Sequence, residues 1–128
     1  MKKRWLLVAV VITLALIQSA ARSSAPAPLR FEVTIAQGLI TGSQNGRLFV
    51  VMSRAGSGEP RLMVGETGLD APPMFARDVN NFAPGAAAVI DDKAIAFPIE
   101  DLAHLPAGDY NVQALFDSNI DLKSVNAP

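Results

Sequence analysis

The side chains able to do chemistry are few and lie far apart along the chain. The single histidine, His104, sits between Ala103 and Leu105, and there is no cysteine, so a thiol nucleophile and thiolate metal ligands are excluded. Serine hydrolysis needs a serine on a strained strand-to-helix turn with a base and an orienting acid. The G-x-S-x-G pattern does not occur, and Gly56-Ser57-Gly58 reads as a flexible glycine loop. Asp117, Asn119 and Asp121 stand at positions 1, 3 and 5 of a calcium-loop pattern, where oxygen ligands converge. The sixth position is Leu122 where that pattern needs glycine, so the segment reads as a solvated acidic loop, a weak metal candidate. Asp91-Asp92 beside Lys93 reads as a strand-ending turn. Arg47, Arg54, Arg61 and Arg77 are expected to pair with nearby acids or to blunt strand edges, not to form a phosphate site. No catalytic residue and no cofactor is expected.

Positioning these groups requires strands. The stretch from Leu102 to Phe116 reads as a corner followed by a strand: Pro106 fixes its own φ and extends Leu105, and Gly108 accepts a positive φ. After it, Tyr110, Val112, Ala114 and Phe116 alternate with Asn111, Gln113, Leu115 and Asp117, the period of a half-buried strand. A tyrosine at that place can bury its ring and return its hydroxyl to nearby backbone, as the tyrosine corner of β-sandwiches does. Leu105, Pro106, Gly108 and Tyr110 are therefore expected to form a structural corner.

Upstream, Leu29, Phe31, Val33 and Ile35 face one way while Arg30, Glu32 and Thr34 face the other, a strand with one wet side. Asn45-Gly46 predicts a tight hairpin. Arg47 to Ser53 is continuously apolar at its centre, which suits a central strand buried on both faces; a helix is the competing reading. A loop from Ala55 to Pro60, a short strand over 61–64 and strands over 74–79 and 86–90 follow, with one helical turn over 99–102. Phenylalanines and Tyr110 occupy apolar-patterned positions, and the only tryptophan, Trp5, lies near the N-terminus, so no sugar-stacking platform is visible. Short strands with regular turn signals give an all-β fold, an immunoglobulin-like antiparallel β-sandwich.

Lys2, Lys3 and Arg4 precede an apolar run from Trp5 to Ile17 and small residues at Ser19, Ala20 and Ala21, the pattern of a secretory signal peptide over 1–21. The run is shorter than the ~20 residues of a comfortable membrane span, so any membrane attachment would come through an uncleaved leader. Cleavage removes 3 of the 11 basic side chains and none of the 12 acidic ones, leaving an acidic domain unsuited to nucleic acid. The expected organisation is a leader at 1–21, a tether at 22–28, one sandwich domain at 29–117 and a loop at 118–128 leading to a missing C-terminal part. The expected location is periplasmic or extracellular. If the chain stops at Pro128, its last strand sits at a sheet edge and invites self-association.

Gly46-Arg47-Leu48-Phe49-Val50, Gly58-Glu59-Pro60-Arg61, Val89-Ile90-Asp91-Asp92 and Leu105-Pro106-Ala107-Gly108-Asp109-Tyr110, in that order, carry a resemblance. The chain resembles the N-terminal immunoglobulin-like region of secreted bacterial esterases with an enterochelin-esterase-like α/β-hydrolase domain, over about residues 29 to 128. The resemblance implies a non-catalytic sandwich accompanying an α/β-hydrolase, in the same polypeptide or a neighbouring chain. The family's serine, acid and histidine lie in the hydrolase, so no position here corresponds to them. The alternative is a free-standing periplasmic binding or adhesion module using loops at one end of the scaffold.

Overall fold

The computed structural model describes residues 26–68 and 70–118. The leader, the first part of the tether and the loop beyond Ser118 lie outside the described residues. Within them six strands run in chain order: β1 (Phe31–Thr34), β2 (Gln44–Arg54), β3 (Met74–Phe82), β4 (Ala87–Ile90), β5 (Ile95–Phe97) and β6 (Tyr110–Asp117). Two short 3-10 turns, Pro60–Met63 and Leu102–His104, are the only helical pieces among the described residues. None of these is long and apolar enough to cross a membrane. The fold is all-β, with antiparallel β1–β4 as one sheet and β5-β3-β2-β6 as the other.

The apolar run at 48–52 becomes the middle of β2, paired to β3 on one edge and to β6 on the other. Leu48, Val50 and Met52 point to the core shared by both sheets, where they meet Phe75 of β3 and Ala88 and Ile90 of β4. Val51 and Ser53 point the opposite way and are just as buried. The segment from Pro60 to Pro73 covers that side, bringing Met63, Val64 and Pro72 against Val51 and Met74. Burial on two faces is why this strand is continuously apolar. β1 needs cover on one face only: Phe31 and Val33 pack on the core while Glu32 and Thr34 stay wet, as the alternation requires.

Several expectations are corrected. The Asn45-Gly46 pair makes no hairpin, because β1 pairs with β4 in the other sheet and the chain must cross between sheets before β2 begins. Both residues lie inside β2 at a register shift between Gln44 and Gly46. Asn45 Oδ1 accepts the Asn81 N–H at 2.8 Å, and Asn81 itself has φ +54. Gly46 is there for close approach: a Cβ would run into the Phe116 ring and the Asp117 carbonyl. Residues 61–64 form no strand; Pro60 opens a 3-10 turn in which the Glu59 carbonyl accepts the Leu62 N–H at 3.1 Å. The helical turn expected at 99–102 falls instead on Leu102–His104, since the Asp101 carboxylate caps the His104 N–H at 3.1 Å. β5 was not foreseen.

β6 keeps the expected alternation, with Tyr110 and Phe116 packed against the core and Phe116 edge-on to Phe82 at 5.2 Å. Val112 and Ala114, on the same face, remain exposed because the two-stranded sheet leaves this stretch uncovered. Substituting Gly46→Ala should destabilise the domain by about 1–3 kcal/mol, the usual cost of overpacking. A lowered urea midpoint at unchanged slope checks this; an unchanged midpoint would mean that β2 and the end of β6 do not approach as described.

Candidate functional site

The corner is held by one directed bond. Tyr110, first residue of β6, donates its hydroxyl hydrogen to the Pro106 carbonyl at 2.7 Å, four residues upstream. Its ring lies against the core and, on the other side, under the Arg54 guanidinium, whose carbon is 4.6 Å from the ring centroid. Arg54 and Tyr110 are register partners across β2 and β6, so the ladder itself places the cation over the ring. Arg54 Nη1 also donates to the Ala107 carbonyl at 3.1 Å. Gly108, with φ +154, leaves room for it, since a Cβ there would strike the guanidinium. Leu105, Pro106, Gly108 and Tyr110 thus lie together at one corner; Arg54, the clasp over the ring, was missed. Its signal was its place at the end of the central strand, opposite the corner.

Beside this clasp lies a groove of about 340 Å³, lined by Arg54, Ser57, Asp70, Pro72, Pro98 and Tyr110 among others. Ser57 sits on a turn in which its N–H donates to the Arg54 carbonyl at 2.9 Å. The neighbouring buried Ser53 donates its hydroxyl hydrogen to the Gly58 carbonyl at 2.9 Å, which secures the glycine loop to β2. Four of its lining residues are prolines, Pro72, Pro73, Pro98 and Pro106.

His104 stands apart from that groove on the Leu102–His104 turn, its side chain well exposed. Its Nδ1 lies 2.8 Å from Asp101 Oδ1, and the carboxylate, helped by Glu100, holds the imidazole pKa above its ordinary value. The same contact holds Asp101 below the usual carboxylate range. Asp101 was also missed; its spacing three residues before His104 is the signal, an acid that caps a turn and meets its last side chain.

The remaining candidates are dispersed. Asp117 ends β6 opposite Arg47, while Asn119 and Asp121 lie outside the described residues. Asp91 forms the expected turn, accepting the Lys93 N–H on Oδ1 at 3.1 Å and the Ala94 N–H on its carbonyl at 3.1 Å. Among the described residues no three histidine, aspartate or glutamate side chains gather as metal ligands would. Arg47 forks onto Asp78 at 2.6 and 3.1 Å, Arg61 meets Glu59 at 2.6 Å, and Arg77 donates to the Val89 carbonyl at 3.0 Å, bridging the sheets. Gln113 of β6 ties the Pro60 turn down, accepting the Arg61 N–H at 2.8 Å and donating to Glu59 at 3.0 Å.

Comparison with protein-family models, with curated proteins and with solved structures finds no match to this chain.

Two expectations follow from this geometry. Removing one hydroxyl with Tyr110→Phe should cost about 1 kcal/mol, the net worth of a protein hydrogen bond, in urea unfolding. A loss near zero would mean that the corner does not depend on that bond. The His104–Asp101 pair should act within a pH window. The histidine's contribution is complete below its ordinary 6.5 and fades as pH climbs past its raised value. The aspartate's is complete above 3.8 and fades as pH falls through its lowered value. The drop in Tm caused by His104→Ala should accordingly be larger at pH 5 than at pH 8; an equal drop at both would show that charge plays no part.

Proposed function

We propose that this chain supplies an exported, non-catalytic, immunoglobulin-like β-sandwich that accompanies an α/β-hydrolase as scaffold or interface. The observation that carries the reading is the Tyr110–Pro106 bond at 2.7 Å, set at the start of a late strand. In immunoglobulin-like sandwiches a tyrosine near the start of the next-to-last strand bonds backbone a few residues upstream in the same way. The strand order supports the same architecture: β1 and β4 pair in one sheet, while β2 and β6 are neighbours in the facing one. The link to a hydrolase rests on the order of the four sequence motifs and on the leader pattern at 1–21.

In this reading the domain acts by shape. Arg47 and Asp78 pair across strands, Asp91 and Asp101 cap turns, and the corner is clamped from both sides by Pro106 and Arg54. A rigid body of that kind can hold a catalytic neighbour at a fixed angle or cover part of its entrance.

Mass spectrometry of the native polypeptide that carries residues 26–118 tests the partnership. Peptides of an α/β-hydrolase with a G-x-S-x-G elbow are expected, downstream in the same chain or in a tightly co-purifying one. A polypeptide no larger than 13.5 kDa with no hydrolase attached would overturn it. The chain alone should not turn over a nitrophenyl ester; turnover abolished by Ser57→Ala or His104→Ala would show that it is itself an enzyme.

A further inference from the structure

Arg54 is fixed in place twice over. Its Nη1 donates to the Ala107 carbonyl at 3.1 Å, and its guanidinium carbon lies over the Tyr110 ring, 4.6 Å from the centroid. No other described residue bonds Nε or Nη2. Those two N–H groups share one edge of the guanidinium, the edge that matches the two oxygens of a carboxylate. Arg47 shows the match in the same strand, where its Nε and Nη2 take the two oxygens of Asp78 at 2.6 and 3.1 Å. Arg54 has the same fork with no carboxylate on it among the described residues. A fork already oriented by Ala107 and Tyr110 loses little freedom when an acid arrives.

The groove of about 340 Å³ beside the clasp supplies the rest of a site, and its size falls at the low end of the ~300–1,000 Å³ of small-molecule sites. Arg54 and Ser57 line it from the end of β2 and the loop that follows, and Asp70 lines it from the segment before β3. Neither the Asp70 carboxylate nor the Ser57 hydroxyl bonds another described residue, and Arg54 and Asp70 share the groove without forming an ion pair. Much of the remaining lining is apolar, with Met63, Ile99, Pro72 and Pro98. The groove owes nothing to β6 beyond Tyr110; Asp117 ends that eight-residue strand roughly 23 Å away. An open cation and an open anion on one small, apolar-walled groove match a molecule that carries both charges on an apolar frame.

We propose that this groove binds a small zwitterion with an apolar body, a free amino acid or a short peptide with both ends uncapped. The carboxylate takes the Nε–Nη2 edge of Arg54, with the Ser57 hydroxyl as a further donor. The ammonium goes to Asp70, and the apolar side chains rest on the proline and isoleucine wall. The Tyr110 hydroxyl is spent on Pro106, so the tyrosine serves as the platform under Arg54. The same pair of charges sets the selectivity: a dicarboxylate would bring its second charge to Asp70, and a diamine would bring one to Arg54. The inference does not rest on the hydrolase reading.

Titration of the full chain with leucyl-leucine, followed through its backbone amide NMR signals, tests this. A saturable shift centred on the amides of Arg54, Ser57 and Ala71 is expected. N-acetyl-leucyl-leucine and leucyl-leucine amide each lack one charge and should bind at least about tenfold more weakly, the worth of one charge-assisted hydrogen bond. A parallel titration with L-leucine separates the two sources, the tighter of the two ligands naming the one that the groove fits. Asp70→Asn should weaken leucyl-leucine about tenfold and leave the acetylated peptide unchanged. Arg54→Lys keeps the charge and loses the fork, so it should weaken leucyl-leucine and its acetylated form and leave the amide form unchanged. A corner merely loosened by substitution would weaken all three alike, and that result would overturn the assigned roles. No saturable shift at tens of millimolar, or equal affinity for the charged and capped forms, would overturn the site itself.

Discussion

Burying the middle of an eleven-residue strand on both faces obliges the chain to cover two sides and to pair two edges at once. β2 makes that demand, and the other elements of its sheet are arranged to meet it. β3 and β6 take its edges, the β1–β4 pair closes one face through the shared core, and the Pro60–Pro73 segment closes the other. The polar atoms drawn under cover are satisfied in place: the Ser53 hydroxyl bonds the Gly58 carbonyl, and no buried side-chain nitrogen or oxygen among the described residues is left without a partner. Leaving such a group unmade costs more than making the bond gains, so this is a condition of burying β2 at all.

The ends of β2 set where the chain is stiff. At one end Gly46 lets the Phe116 ring and the end of β6 press onto the strand, locking the two together beside Phe82. At the other, Arg54 spreads over Tyr110 while the tyrosine bonds Pro106. β6 is thus fastened at both termini and tied in its middle by Gln113 to the Pro60 turn, while among the described residues no strand pairs with its outer edge.

The parts of this design legible in sequence are those with a short-range cause. The buried run at 48–52, the alternation of β1 and β6 and the corner at 105–110 each follow from local period or from what proline and tyrosine can do. The errors come from long-range partners. Asn45-Gly46 reads as a hairpin until β1 is seen to pair with β4, a choice made by residues more than fifty positions downstream. Residues 61–64 look like a strand because Leu62, Met63 and Val64 are consecutive apolar residues, but Pro60 opens a 3-10 turn there, and of the three only Met63 is half-buried, beside Val51. Val112 and Ala114 match a buried pattern and stay exposed, since alternation says which way a side chain points and not whether anything lies there. Arg54 and Asp101 were missed because each acquires its role from a partner across a ladder or a turn.

The central claim is that β2 lies inside its sheet with both edges bonded and both faces covered. Residue-resolved amide hydrogen exchange tests it most directly, because alternate amides of β2 point to β3 and to β6. The account requires consecutive amides from Leu48 to Met52 to be uniformly slow. Rapid exchange at every second residue would mean that one neighbouring strand is not where it is placed here, and the two-sided burial would fall with it.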